Sequence, residues 1–313
     1  MQRGANDGHI HLSMPWVAAS LLSAFFLGLY DLTTKHALRE NAVVPVLFLA
    51  PVCGSAVWLS LLLTGLAAPG LLPAAFVPEP LTLAQHGLIF LKSMIVALSW
   101  VFTYLGIKHL PLSLAAPIRA TGPIWTLCGA LLVLGERPSW LSMAGILITL
   151  GSFFGLSVAG RAEGVHFFRS KWVGCMIAGS LCGAVSGLYD KFLLGRTGAG
   201  LTAAAVQAWF TLYLPVVLLP LAVGWWRRWW PRNEFHWRWS IPLIALSLLV
   251  ADFVYFDALR NPEALVSLVS SLRRGSTLVA FAGSIWLFRE THGMRKLPAV
   301  IGIVTGIILT ICG

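Results

Sequence analysis

Apolar residues run in blocks too long for strands or for ordinary soluble helices. Ten stretches, near 15–35, 43–66, 86–107, 111–134, 139–159, 171–194, 201–224, 239–260, 263–288 and 295–312, each hold about 18–25 residues with few charges. At about 1.5 Å rise per residue, that length spans the roughly 30 Å hydrocarbon core of a bilayer. Most linkers are short and carry glycine, proline or charge: Arg39-Glu40-Asn41, Lys108-His109-Leu110-Pro111, Gly135-Glu136-Arg137-Pro138 and Arg260-Asn261-Pro262. Helices joined so tightly are antiparallel neighbours. The pattern predicts an all-α integral membrane protein with ten transmembrane helices, numbered helix 1 to helix 10 in that order.

Composition narrows the function. Of 313 residues, 58% are hydrophobic and 11% charged, whereas a soluble domain carries about 25% charged residues. A soluble enzyme or a nucleic-acid-binding protein is excluded, despite the formal net charge of +10. No stretch of soluble-domain size is left over, so the function sits in the membrane. Cys53, Cys128, Cys175, Cys182 and Cys312 are scattered through apolar segments without a CxxC, and read as small packing residues. His9 and His11 read as part of an N-terminal tail rather than a metal pair, and no cofactor is expected. The first apolar run begins near Met14, is too long for a signal-peptide core and lacks an A-x-A cleavage site, so no signal peptide is expected.

The chain repeats itself. Gly28-Leu29-Tyr30-Asp31 in helix 1 recurs letter for letter as Gly187-Leu188-Tyr189-Asp190 in helix 6, and Trp16-Val17 is echoed by Trp172-Val173. Ile118-Arg119 in helix 4 matches Leu272-Arg273 in helix 9, and the same offset joins Glu136 to Glu290. Gly151-x-x-x-Gly155 in helix 5 is answered by Gly302-x-x-x-Gly306 in helix 10; both read as packing seams, within or between subunits. Five helices per copy is an odd number. The second copy must therefore start from the opposite side of the membrane. The expected domains are a first five-helix repeat at 15–159 and a second, inverted repeat at 171–312, forming one membrane unit. Inverted-topology repeats are the architecture of many secondary transporters, with the substrate site near the midplane.

Tyr104-Leu105-Gly106-Ile107-Lys108-His109-Leu110-Pro111-Leu112-Ser113 and Leu134-Gly135-Glu136-Arg137-Pro138 resemble the helix 3–4 hairpin and the helix 4–5 turn of the EamA-type permeases. These belong to the drug/metabolite transporter superfamily. The resemblance covers essentially residues 15–312 and does not specify the substrate. Arg289 stands where the family usually has glycine before Glu290, and the intramembrane charges are unusually numerous. The resemblance implies a central cavity lined by helices 1, 3, 4, 6, 8 and 9, and cytoplasmic termini.

Ionisable side chains deep in a spanning helix cost a few kcal/mol or more each, so they pair or face water. Asp31, Lys92, Arg119, Asp190, Asp252, Arg273 and Arg274 occupy such positions, with Asp257 nearer an end. Asp31 lies towards the far end of helix 1. Arg119, eight residues past Pro111, lies roughly 12 Å in from the same side, so the two can meet. Inversion brings Asp190 and Arg273 together towards the opposite side. Such mirrored pairs can be structural locks, gates or direct ligands. Lys35 and Lys191 are alternative local partners for Asp31 and Asp190. The adjacent guanidiniums of Arg273 and Arg274 exceed what Asp190 neutralises, and arginine binds carboxylate or phosphate bidentately. Asp252 and Arg274 should differ in height by about 3–5 Å, which would let Asp252 carry a proton or stay paired. Lys92 has no evident partner and is expected to snorkel. Pro117, Gly122 and Pro123 around Arg119 weaken helix 4, which suits a cavity-lining segment. The site expected from these residues comprises Asp31, Arg119, Asp190, Asp252, Arg273 and Arg274, with Tyr30 and Tyr189 beside the two aspartates.

Between helices 7 and 8, Trp225-Trp226-Arg227-Arg228-Trp229-Trp230-Pro231-Arg232 and Trp237-Arg238-Trp239 read as an interfacial anchor for membrane lipids, not a nucleic-acid surface. Of the 22 Lys and Arg residues, four lie inside spans, five on the side of the termini and thirteen on the opposite side. By the positive-inside rule the termini are outside. This conflicts with the resemblance, and the charge count is preferred.

The leading reading is a secondary active transporter in a plasma (bacterial inner) membrane, a monomer or homodimer, moving a small solute with an anionic group. No G-x-x-x-x-G-K-[ST] occurs, so ATP does not drive it directly; proton or ion coupling stays open. A flippase for a lipid-linked anion is the nearer alternative. An intramembrane aspartyl protease using Asp31 and Asp190 is the more distant one, since neither copy reads G-x-G-D.

Overall fold

The computed structural model describes residues 15–68, 70–110, 115, 118, 119, 122–159, 170–229, 233–276, 278–280, 282, 283 and 293–312. Their regular structure is entirely helical. In chain order the helices are α1 (Pro15–Leu38), α2 (Val43–Ala67), α3 (Leu83–His109), α4 (Gly122–Gly129), α5 (Trp140–Ala159), α6 (Lys171–Leu194), α7 (Ala203–Trp226), α8 (Ser240–Arg260), α9 (Val266–Arg273) and α10 (Gly293–Cys312). Each falls on one of the apolar stretches. The expected start of helix 4 at 111 and the end of helix 9 at 288 lie outside the described residues, as do Pro117, Arg289, Glu290 and the His9–His11 pair.

Six helices (α1, α2, α3, α6, α7 and α8) are long and apolar enough to cross a bilayer. Shorter apolar runs are described at Gly122–Leu134, Trp140–Ser152 and Ile301–Cys312. Within the six, only 33–56% of the spanning residues are buried by the chain itself. The remainder, such as Leu63, Val216 and Leu246, present apolar surface outwards. A helix that is apolar all round suits lipid, not water. The chain is a multi-pass helical membrane protein.

Local signals set the helix ends. Thr82 and Gln85 form a reciprocal capping box at the start of α3, the Gln85 N–H donating to Thr82 Oγ1 at 3.3 Å and the Thr82 N–H to Gln85 Oε1 at 2.8 Å. Thr202 caps α7 through the Ala205 N–H. After α4 the chain makes one π-helical turn, Ala130–Leu134, and reverses at Gly135, whose φ of 65° only glycine adopts cheaply. That reversal delivers the Glu136 carboxylate to the first turn of α9. There it accepts from the Val266 N–H (2.8 Å), the Ser267 N–H (3.2 Å) and the Ser267 hydroxyl (2.7 Å). The repeated glutamate is thus a helix cap donated by one half of the chain to the other.

Most of the larger helix contacts among the described residues are kept when α1–α5 are exchanged with α6–α10. Helix α1 lies on α8 as α3 lies on α6, and α4 on α6 as α1 on α9. Likewise α3 meets α7 as α2 meets α8, while α2–α7, α5–α10 and α4–α9 pair with their own counterparts. Two lysines follow the same rule. Lys35 donates to the Ile107 carbonyl near the end of α3, and Lys191 to the Leu259 carbonyl near the end of α8, both at 3.3 Å.

Small residues bring some of these helices into close contact. In the α5–α10 seam, a Cβ on Gly145 would lie 2.5 Å from the Thr310 backbone nitrogen, and one on Gly306 2.7 Å from the Gly145 carbonyl. Gly302 packs on Ser152. Of the expected Gly-x-x-x-Gly seams, the α10 motif is the one used this way within the chain. Gly151 and Gly155 face open space, because the contacting face of α5 passes through Gly145 and Thr149 instead.

The repeated Gly-Leu-Tyr-Asp stretch is not equally constrained in its two copies. A Cβ on Gly28 would lie 2.5 Å from Val279 Cβ and 2.8 Å from the Ser276 carbonyl, whereas one on Gly187 would meet only the Tyr255 hydroxyl at 3.6 Å. Gly28→Ala should therefore destabilise the protein by about 1–3 kcal/mol through overpacking. Gly187→Ala should be neutral or mildly stabilising. Melting temperatures of the two variants in detergent test this, and equal effects would contradict the packing.

Candidate functional site

A cavity of about 190 Å³ lies among α1, α3, α4, α6, α7, α8 and α9. Its wall mixes hydroxyls (Ser99, Thr103, Ser180, Ser186, Ser270), rings (Trp100, Phe210, Tyr255, Phe256) and ionised groups. Helix α7 contributes Phe210, a helix that the resemblance did not include.

On one side of the cavity Arg119 donates to Asp31, Nη2 to Oδ1 at 2.6 Å. Beside them the Tyr30 hydroxyl donates to the Tyr104 hydroxyl at 3.3 Å. The Asp31–Arg119 pair expected from the sequence is therefore formed.

The mirrored pair is not. Asp190 is held by Lys92 in a salt bridge whose side chains are only 5% and 2% exposed. The Lys92 ammonium also lies over the rings of Phe210 (4.6 Å) and Phe256 (5.0 Å), a cation–π cage. Arg273 instead pairs with Asp252, Nη2 to Oδ1 at 2.8 Å, and its guanidinium stacks 4.0 Å from the centre of Tyr255. This corrects three expectations at once. Asp190 does not take Arg273, Asp252 does not take Arg274, and Lys92 does not snorkel. The reason is azimuth. Position along a helix gives depth, but the contact of α3 on α6 decides that Lys92 faces Asp190, and residues 273 and 274 point about 100° apart.

The local partners differ as well. The Lys191 ammonium donates to the carbonyls of Leu259 and Asn261 at the end of α8, complementing that helix terminus. Asp257 is exposed. Tyr30 lines the cavity, but Tyr189 does not; its hydroxyl donates to the Leu88 carbonyl of α3 at 3.2 Å.

Arg274 remains. Among the described residues it forms no ion pair, and its Nε is buried without a hydrogen-bond partner. Its guanidinium lies against α4, where a Cβ on Gly122 would sit 3.1 Å from Arg274 Nη2. Gly122 is thus the space that admits this side chain. Lys92, Arg119, Arg273 and Arg274 line the cavity region against the carboxylates of Asp31, Asp190 and Asp252, leaving one cation in excess. Sequence reasoning missed Tyr104, Tyr255 and the ring cage. Tyr255, three residues after Asp252 and so on its helix face, was the one with a readable signal. Among the described residues no group of three His, Cys, Asp or Glu side chains gathers as a metal site.

A charged, hydroxyl-lined cavity among the helices of a multi-pass membrane protein is an arrangement that suits a solute permease. Residues 14–158 match the model of the EamA-like transporter family, in agreement with the permease resemblance read in the sequence. That family consists of transporters, not enzymes. A solved crystal structure of a protein shares the fold, with a TM-score of 0.68 and 16% identity, covering 93% of this chain and 96% of the other. A sequence comparison with curated proteins gives no match.

Proposed function

We propose that the protein is a secondary active transporter of the plasma (bacterial inner) membrane, carrying a small solute with an anionic group by alternating access. In this reading ten spans form two inverted five-helix copies, 15–159 and 171–312. The exchange symmetry of the helix packing supports it. The observation that carries the substrate class is Arg274, a buried guanidinium without a carboxylate among the described residues. A lone charge inside a membrane protein is costly, and a substrate carboxylate or phosphate would compensate it bidentately. Asp31–Arg119 on one side and Arg273–Asp252 on the other flank that position and serve as its gates. Lys92–Asp190, the least exposed pair, serves as a lock. A ligand shifts such an equilibrium only by its differential affinity for the two states, so an anion that engages Arg274 in the closed cavity drives closure.

The protease reading fails on the same geometry. Asp31 and Asp190 are each held by their own cation, Arg119 and Lys92, so they do not share a proton.

Counterflow in proteoliposomes tests the proposal. A panel of anionic, cationic and neutral metabolites should give saturable exchange with anions alone. Exchange with cations only would overturn the substrate class. Transport confined to lipid-linked anions would favour a flippase instead.

Orientation has its own test. If the termini are outside, Glu234→Cys in the loop between α7 and α8 should resist impermeant thiol reagents in intact cells and react once the membrane is opened. Ready labelling in intact cells would place the termini in the cytoplasm.

A further inference from the structure

A groove of about 710 Å³ lies outside the cavity, at the end of the seam between α1 and α8. Its floor is apolar, formed by Leu32 of α1 and Leu243 of α8. Its rim carries Arg39, just past the end of α1, and Arg238, just before the start of α8. Charge therefore sits at the level where two spanning helices leave the apolar layer, and apolar wall lies below it. Leu32 precedes Arg39 by about two helical turns, roughly 10 Å of depth. A soluble anion has no use for that floor. A phospholipid, with its phosphate above an acyl chain, matches both parts.

Further features fit the same ligand. Trp239 is 79% exposed at the rim and meets Trp237 edge-on at 6.4 Å, placing indole rings at headgroup level. Arg238 donates through Nη1 to the His36 carbonyl at 2.6 Å, which fixes its guanidinium beside the groove. That bond uses one of the five N–H donors an arginine has. Glu40 contributes one carboxylate to the rim against two guanidiniums. This is also the side to which the sequence assigns thirteen of the 22 Lys and Arg residues.

We propose that this groove binds an anionic phospholipid, with the phosphate held by Arg39 and Arg238 and an acyl chain laid along Leu32 and Leu243. The inference is independent of the transport reading. It has a consequence for the α1–α8 seam. His36 Nδ1 and Ser240 Oγ already bridge the two helices at 3.1 Å, and a headgroup shared by Arg39 and Arg238 adds a second tie about two turns beyond Leu32, the neighbour of the gate aspartate.

The test is lipid binding by the full chain, purified in detergent and offered equal amounts of phosphatidylglycerol and phosphatidylcholine, with bound lipid counted by native mass spectrometry. Wild type should retain phosphatidylglycerol preferentially. Arg39→Gln should lower that retention about fivefold, and Arg39→Gln with Arg238→Gln by more than about tenfold. Arg227→Gln, on the same side but outside the groove, should leave it unchanged. Leu243→Trp fills the groove without removing a charge or a hydrogen bond. It should also lower retention, and it keeps the test decisive if the double variant does not fold. Undiminished retention in Arg39→Gln and Leu243→Trp would overturn the proposal. So would an equal loss in Arg227→Gln, which means diffuse attraction to the surface. Displacement of the lipid by excess inorganic phosphate would identify a phosphate site and overturn the lipid assignment.

Discussion

Replacing Arg274 by glutamine should abolish saturable anion exchange and leave the protein at least as stable as wild type. The two effects have one origin. The Arg274 guanidinium is buried beside Gly122, its Nε has no hydrogen-bond partner, and no ion pair compensates it among the described residues. Desolvating an unpaired cation opposes folding, so removing its charge should hold or raise the melting temperature. The same charge is what an anionic solute would find in the cavity. Truncating one partner of a buried charge pair costs about 2–5 kcal/mol of binding, so affinity should fall by about a hundredfold or more. Isothermal titration with a substrate identified by counterflow, together with a thermal unfolding curve, reads both. A variant that binds normally would remove Arg274 from the site. A variant that loses stability would make Arg274 a structural residue whose partner is a protein group.

Lys92→Met should have the opposite profile, with a large loss of stability. Asp190 would keep its carboxylate in a space where its side chain is 5% exposed and lose the cation that pairs with it. Breaking one partner of a buried pair costs about 3–5 kcal/mol. Met fills the volume left between Phe210 and Phe256 but supplies no charge. The double variant Lys92→Met with Asp190→Leu should recover most of the loss, because an apolar pair of similar size carries no desolvation cost. Thermal unfolding of the two single variants and the double variant forms a complete cycle. If Lys92→Met is as stable as wild type, the pair is not a lock. If the double variant is stable but inactive in counterflow, the pair takes part in transport itself.

Much of this protein is readable without coordinates, because the bilayer imposes a strong one-dimensional rule. A helix that satisfies its own backbone groups must stay apolar for the thickness of the membrane, and the ten apolar stretches mark α1–α10 for that reason. Glycine, proline and charge at 39–41, 108–111, 135–138 and 260–262 mark the turns. The repeated Gly-Leu-Tyr-Asp stretch pointed to a duplicated architecture, and the Leu134-Gly135-Glu136-Arg137 turn to the permease family. They did not reveal that Glu136 caps a helix of the other half, since the donors are backbone N–H groups that carry no sequence signature.

Depth along each helix was legible too, and it sufficed for Asp31 and Arg119. It failed for Asp190, Asp252, Arg273 and Lys92, all of which fall within roughly 10 Å of one another in depth by the same arithmetic. At a shared depth, partner choice depends on the rotation of each helix about its axis and on which helices touch. Those are set by how small residues such as Gly28 and Gly179 let neighbouring helices approach, a property of the packed whole. Sequence alone determined that four cations and three carboxylates are buried in the spans. Only the tertiary structure decided which cation is left over, because pairing requires two side chains to meet at one depth and one azimuth, and the second coordinate exists only once the helices have packed.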